Sequence, residues 1–404
     1  MGWSHYRPTG LTHHHRSGSY KGYTLITPVG GDSTFLLGME GRVVHRWRFT
    51  DVAPFYGRLL ESGNLLVLAT DLELGEEDRE RASDPSLPLN RRVRGLGGNA
   101  SLLREVSWEG EPVWEYRNEA IHHDFVRLPS GNTLAAEWVD MPGELGGRVR
   151  GGVPDRRREK PPMLGDDIVE IDPSGREVWR VSVHDLLDPR RDPICPLESR
   201  VEWTHLNALD VNADGDVLFS CRINSRVGII DRVSGTLRWK HGFPDVSHQH
   251  NATWLPNGNV QIFDNGMHRR GLPRSRVVEI NPATSETVWE YSAQPEEEFF
   301  SAHISSAERL PNGNVLVCEG AAGRLFEITP RGEVVWEWVN PIVNTVREAP
   351  SVAIFRAHRY GPDFPALSGR ALDPRAHFEL NRLHGLGRGA GRRMFGSPGG
   401  QGLG

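Results

Sequence analysis

The chain has 404 residues and a formal charge of −6, a balance that gives no support for nucleic-acid binding. No apolar run approaches the eighteen or more residues of a membrane span, and residues 1–23 lack the apolar core of a signal peptide, so the expected compartment is the cytoplasm. Three cysteines, Cys195, Cys221 and Cys318, form an odd set without paired metal spacing and read as reduced thiols acting as small apolar residues.

In chain order, residues 1–21 read as a flexible N-terminal segment carrying the tract His13, His14 and His15. From Gly22 onward a unit with two halves repeats. One half is a tight turn between apolar runs, at Gly63-Asn64, Gly131-Asn132, Gly215-Asp216, Gly258-Asn259 and Gly313-Asn314. Asn-Gly and Asp-Gly sequences tolerate the positive φ that tight hairpins need, so these are strong hairpin signals. The other half is a short strand ending in tryptophan, at Trp47, Trp114, Trp179, Trp239, Trp289 and Trp336, with gaps of 67, 65, 60, 50 and 47 residues. Six such units with few helical patterns predict an all-β fold, a six-bladed β-propeller over residues 22–366.

The early gaps are wider because of two inserted loops, the charged stretch 71–98 and the Gly-, Arg- and Pro-rich stretch 141–162. Residues 344–359 are expected to supply the final strand. A C-terminal extension, 367–404, ends in a Gly/Arg-rich tail that reads as disordered. The short edge strands of a propeller give no dimer signal, and a homo-oligomer stays open.

Four histidines keep register with the turns: His123, His205, His250 and His303 each precede the glycine by eight or ten residues. The innermost strand of a propeller blade lines the central channel, so a histidine at its start is placed at one mouth. The second strand returns to the same mouth and brings Glu137, Arg222, Asp264 and Glu319, six or seven residues after each glycine. Tyr56 stands near the histidine position in the first unit, and Arg356 or His358 near the last. His122 and His248 adjoin or alternate with members of the set, and the His122 side chain is expected to point elsewhere. One such histidine alone would be read as structural. Four in register point to a functional rim.

Several stretches then resemble the bacterial arylsulfotransferases. They are Gly22-Tyr23-Thr24-Leu25-Ile26, His122-His123-Asp124, Trp203-Thr204-His205-Leu206-Asn207, Ser220-Cys221-Arg222, Ile229-Ile230-Asp231, Gln249-His250-Asn251-Ala252 and Phe263-Asp264-Asn265-Gly266. The resemblance covers roughly residues 22 to 365. It implies a six-bladed propeller that moves a sulfuryl group between phenols without phosphoadenosine phosphosulfate or another cofactor. It also implies that His250 is the nucleophile, that His123 and His205 carry the proton and bind the oxyanion, and that Arg222 holds the sulfuryl oxygens. Asn207, His303, Tyr56 and Asn265 would contact a small phenolic substrate. A neutral imidazole suits that chemistry, because it can attack sulfur and later release it.

Two alternatives stay open on the residues. Four neutral imidazoles, His123, His205, His250 and His303, backed by Glu137, Asp264 and Glu319, would also hold a divalent metal (Fe, Mn, Cu or Zn) for a lyase, oxygenase or hydrolytic step on an aromatic substrate. A propeller that only binds partners would need no chemistry, but seldom gathers ionisable groups at a channel mouth.

Overall fold

Each of the five Gly-Asn or Gly-Asp turns joins two antiparallel strands, and its glycine takes a left-handed φ between 82° and 93°, which a side chain would oppose. In the computed structural model, which describes residues 8–74, 86–153 and 162–386, these hairpins grow into six antiparallel sheets arranged as a propeller, five of four strands and one of five. Residues 1–7, parts of both expected insertions (75–85 and 154–161) and the tail 387–404 lie outside the described residues.

The first blade has its innermost strand at Ile354–Tyr360, followed outward by Tyr23–Pro28, Ser33–Leu37 and Val43–Arg48. The C-terminal strand therefore closes the ring, pairing antiparallel with Tyr23–Pro28. The next five innermost strands are Val52–Leu59, Ile121–Arg127, Leu206–Val211, His250–Trp254 and Ser306–Arg309. Side chains of these strands accept hydrogen bonds from the backbone of the following blade. Asp124 accepts from Leu209 N, Asp210 from Trp254 N, Asn251 from Ala307 N and Glu308 from Arg359 N, all at 2.7–2.9 Å. Inner strands of neighbouring blades do not pair directly, so these side chains satisfy backbone donors that would otherwise be buried without partners.

Packing lies between blades. Six buried apolar clusters each combine two adjacent blades, as where Leu218, Val227, Ile262 and Val278 join the fourth and fifth. The repeated tryptophans lock the same seams: Trp47 Nε1 donates to Ser107 O, Trp114 to Pro173 O, Trp289 to Pro330 O and Trp336 to Met39 O, each in the next blade. A further repeated device was invisible as a motif. The asparagine after the turn glycine donates to a glutamate on the third strand, Asn64 to Glu105 and Asn132 to Glu170, and an arginine of the next blade pairs with that glutamate, as Arg127 does with Glu105.

At the closure this device becomes fully buried. Arg359 pairs with Glu327 at 3.3 Å, donates to Thr24 Oγ1 at 2.6 Å and lies over the Trp336 ring. Neither charged side chain is exposed, so removing one strands the other in low dielectric. Glu327→Ala is expected to cost about 3–5 kcal/mol, read as a lower urea midpoint; a loss below about 1 kcal/mol, the scale of a surface pair, would contradict this account of the closure.

One expectation is corrected. Gly10–His14, placed in the flexible N-terminal segment, is a strand that pairs antiparallel with Val334–Val339 and makes the sixth blade five-stranded. It covers an otherwise open sheet edge, and five residues with no alternation gave no strand signal. The start of the C-terminal extension also packs: Asn381 bonds both Val43 N and Val43 O, and Leu386 joins the seam between the first and sixth blades. No helix of the described residues is long and apolar enough to cross a membrane.

Candidate active site at a mouth of the channel

Inner strands break register where the site residues stand. Shifts fall at Pro54/Tyr56, opposite Ala135/Ala136, at Leu206/Ala208 and at His250/Thr253. His123 and His205 take φ of 53° and 56°, an uncommon conformation for a residue with a side chain. A bulge with a left-handed residue turns a side chain that would lie on the blade face toward the channel mouth.

The histidines brought together are His123, His205 and His250. The rings of His123 and His205 meet edge to face with centroids 4.5 Å apart, and the ring of His123 lies against Gly98, where an added Cβ would fall 2.2 Å from it. All three are nearly or fully buried, and each is held from behind through Nδ1. His250 Nδ1 lies 2.8 Å from Asn265 Oδ1, while Asn265 Nδ2 donates to Ser301 O and Ile304 O. Two carbonyl acceptors fix the Asn265 amide, so its oxygen faces the imidazole, His250 carries its hydrogen on Nδ1, and Nε2 keeps the lone pair. His205 Nδ1 donates to Glu202 at 2.7 Å, and Glu202 also accepts from Trp138 Nε1. His123 Nδ1 lies 2.8 Å from His122 Nδ1, and His122 Nε2 lies 3.1 Å from Asp166.

His122 is thus part of the arrangement, stacked on Trp138 and linking Asp166 to His123. When His122 holds the hydrogen between the two Nδ1 atoms, His123 presents Nε2–H to the mouth; when His123 holds it, Nε2 presents a lone pair. Asp166 is itself kept below the usual carboxylate range despite its burial, by His122, by the Thr204 hydroxyl and by Leu206 N. Sequence reasoning missed Asp166 and Glu202, which stand outside the repeat register.

Two arginines flank the group. Arg222 follows the strand Val217–Cys221, and pairs with Glu198 at 2.8 Å. Arg356, on the closing strand, is buried, pairs with Asp124 at 2.8 Å, donates to Asn207 O and lies over the rings of Tyr56 and Phe355. Burial pushes His250 well below the ordinary imidazole pKa; Asn265 opposes this, and Arg222, His205 and Arg356 add to it. His123 is lowered likewise, by burial first and then by His205, His122, His250 and Arg356.

Both imidazoles are therefore neutral at neutral pH, and a sign for stability follows. The unfolded chain takes up their protons below about pH 6.5, whereas the folded chain does not until the depressed values are reached. Stability from these groups is full above about 6.5 and declines as pH falls toward the folded pKa. The drop in urea midpoint between about pH 7 and pH 5.5 is expected to shrink in His250→Asn; an unchanged drop would contradict the assigned protonation state.

Other expected members stand elsewhere. His303 is exposed, three residues ahead of the strand Ser306–Arg309, with left-handed Ile304 and Ser305 turning the chain between them. An exposed imidazole does not complete a buried set of four. The carboxylates expected behind the histidines pair with arginines: Glu137 with Arg180, Asp264 with Arg269 and Arg276, and Glu319 with Arg324. The physical reason is that these second-strand side chains meet arginines supplied by the third and fourth strands and, for Asp264, also by Arg269 in the following loop. Asn207 donates through Nδ2 to Gln249 O, and Asn265 acts behind His250. Tyr56 bonds His358 at 2.8 Å and Arg58 at 2.6 Å, deeper in the channel. At its opposite end a cavity of about 160 Å³ is lined by Arg58, Asp210, Trp254, Glu308 and His358, with none of the three clustered histidines.

Comparison with known proteins gives a family match and distant folds. The family model described as arylsulfotransferase (ASST) matches residues 153–341, which contain His205, Arg222, His250 and Asn265, and it supports arylsulfotransferase-like activity in general terms. A comparison with curated protein sequences finds no match. Among solved structures, a protein of unknown function from Bacteroides caccae is 14% identical with a TM-score of 0.52, over 84% of this chain and 98% of that one. A streptogramin B lyase is 13% identical with a TM-score of 0.45, over 87% and 93%. A virginiamycin B lyase from Staphylococcus aureus is 12% identical with a TM-score of 0.43, over 83% and 85%. At 14% identity, the likeness to the Bacteroides caccae protein is one of fold.

Proposed function

Taking the chain as arylsulfotransferase-like over residues 153–341, we propose that it transfers a sulfuryl group between phenols through a sulfohistidine on His250, with no nucleotide donor. The observation that carries this reading is the hydrogen bond from His250 Nδ1 to the Asn265 amide oxygen, which can only accept. It leaves Nε2 with its lone pair on a neutral ring, which is the form of imidazole that attacks sulfur.

In the first half-reaction Nε2 forms a bond to sulfur as the bond from sulfur to the aryl oxygen breaks. The aryl oxygen leaves with the electron pair and takes a proton from His205. In the second, an incoming phenol returns its proton to His205, and its oxygen displaces His250 from sulfur. Glu202 beside His205 compensates the charge that ring bears while it holds the extra proton. Arg222 donates to the sulfuryl oxygens, where negative charge grows. The positive field of Arg222 and Arg356, which helps keep His250 neutral, also favours an anionic sulfate ester.

The direct test supplies 4-nitrophenyl sulfate and a phenol without nucleotide. Release of 4-nitrophenolate that rises with phenol concentration, with the sulfated phenol formed in equal amount, is expected; hydrolysis alone or no release would contradict transfer. Arg222→Lys is expected to lower kcat/KM by roughly 10²-fold, since an ammonium lacks the planar fork of donors; an unchanged value would remove Arg222 from oxyanion binding.

A further inference from the structure

Beside the three histidines lies a second group of ligating atoms that the transfer reaction leaves unused. Cys195, His248 and His268 each offer one donor atom, and these atoms all lie within 4.8 Å of one another, the one such group of three among the described residues. Cys195 Sγ is 3.4 Å from His268 Nδ1, and the rings of His248 and His268 meet at 83° with centroids 4.7 Å apart. From these contacts we propose that Cys195, His248 and His268 bind a zinc ion, at a site separate from His123, His205 and His250.

Bond lengths of about 2.3 Å to sulfur and 2.1 Å to nitrogen in a tetrahedron separate those two ligands by about 3.6 Å. The observed 3.4 Å is close to that edge. The three residues come from three segments: Cys195 from the strand Ile194–Ser199, His248 from the run before His250–Trp254, and His268 from the loop after Val260–Asp264. Such a convergence of one thiol and two imidazoles suits a borderline-soft cation. Three protein ligands leave one tetrahedral position for water.

His248 is 1% exposed, with Nδ1 3.3 Å from Ser247 Oγ and Nε2 3.3 Å from Glu198. Glu198 stands outside the ligand group and spans the two sites, since it also pairs with Arg222. On binding, the Cys195 thiol gives its proton to solvent and a zinc–sulfur bond replaces it. The ion would tie the strand carrying Glu198 to the fifth blade and so steady the partner of Arg222.

The test uses the full chain, stripped with a chelator, reloaded with zinc chloride and desalted. About one zinc per chain is expected in the wild type, and its loss in both Cys195→Ser and His268→Ala. Zinc retained by both variants would overturn the proposal and assign the ion to other residues, such as the His13–His15 tract. A second measurement needs no variant. Cys221 and Cys318 are buried and Cys195 is half-buried, so alkylation of the native protein reads Cys195. Zinc is expected to slow that alkylation about tenfold or more, reversibly with chelator, because a metal-bound thiolate is shielded. An unchanged rate in the zinc-loaded wild type overturns the site whatever the variants do, and neither result depends on sulfuryl transfer.

Discussion

His250→Asn is expected to reduce sulfuryl transfer from 4-nitrophenyl sulfate by at least about 10⁴-fold, the scale of losing a covalent nucleophile. Asparagine keeps a donor within reach of Asn265 Oδ1 and leaves no lone pair directed at sulfur, so the substitution separates chemistry from folding. The native far-ultraviolet spectrum should persist. His205 does not replace the lost ring, because Glu202 holds its Nδ1 and fixes where its other nitrogen points. Turnover within tenfold of wild type would contradict the nucleophile assignment.

His205→Asn carries the second large effect, a loss of about 10²–10⁴-fold from removing the proton carrier. Its diagnostic is the leaving group. A 4-nitrophenolate departs readily without a proton, whereas an unsubstituted phenolate is more basic and needs one. The variant should therefore lose more activity with phenyl sulfate than with 4-nitrophenyl sulfate. Equal losses on both donors would indicate that His205 only packs against His123. Glu202→Gln should show the same leaving-group trend with smaller amplitude, since glutamine still meets His205 Nδ1 but no longer offsets its charge.

The propeller was legible because its signals are local. A glycine with positive φ makes each hairpin, and a tryptophan at each unit's end reaches the next blade, so the period of the chain is the period of the fold. Register also carried the histidines as far as strand geometry is regular. It placed His123, His205 and His250 at strand starts, and it could not see that left-handed Ile304 and Ser305 leave His303 exposed. The carboxylates failed for a related reason. Distance from a glycine counts positions along a strand, but which blade face a side chain meets depends on bulges and on arginines two strands away, as with Glu137 and Arg180.

The groups that orient the histidines were the least legible. Asp166 follows the second insertion, and Glu202 lies in a connection between blades, so neither shares the repeat. Their roles arise from tertiary contact with His122 and His205. His122 shows the same limit. It was expected to point elsewhere than His123; it stacks on Trp138 and backs His123 through Nδ1. The Cys195, His248 and His268 group likewise joins residues up to two blades apart in sequence, with no spacing that a metal motif would show.

The central claim is a covalent intermediate on one ring. The most direct measurement mixes the protein with 4-nitrophenyl sulfate in the absence of acceptor, quenches in base, and sequences the peptides by mass spectrometry. The account predicts one added sulfuryl group on His250, formed as 4-nitrophenolate is released in a burst matching the enzyme concentration, and discharged when phenol is added. Steady transfer to phenol with no adduct on His250 and no burst would contradict it, and would mean that donor and acceptor react directly at the mouth of the channel.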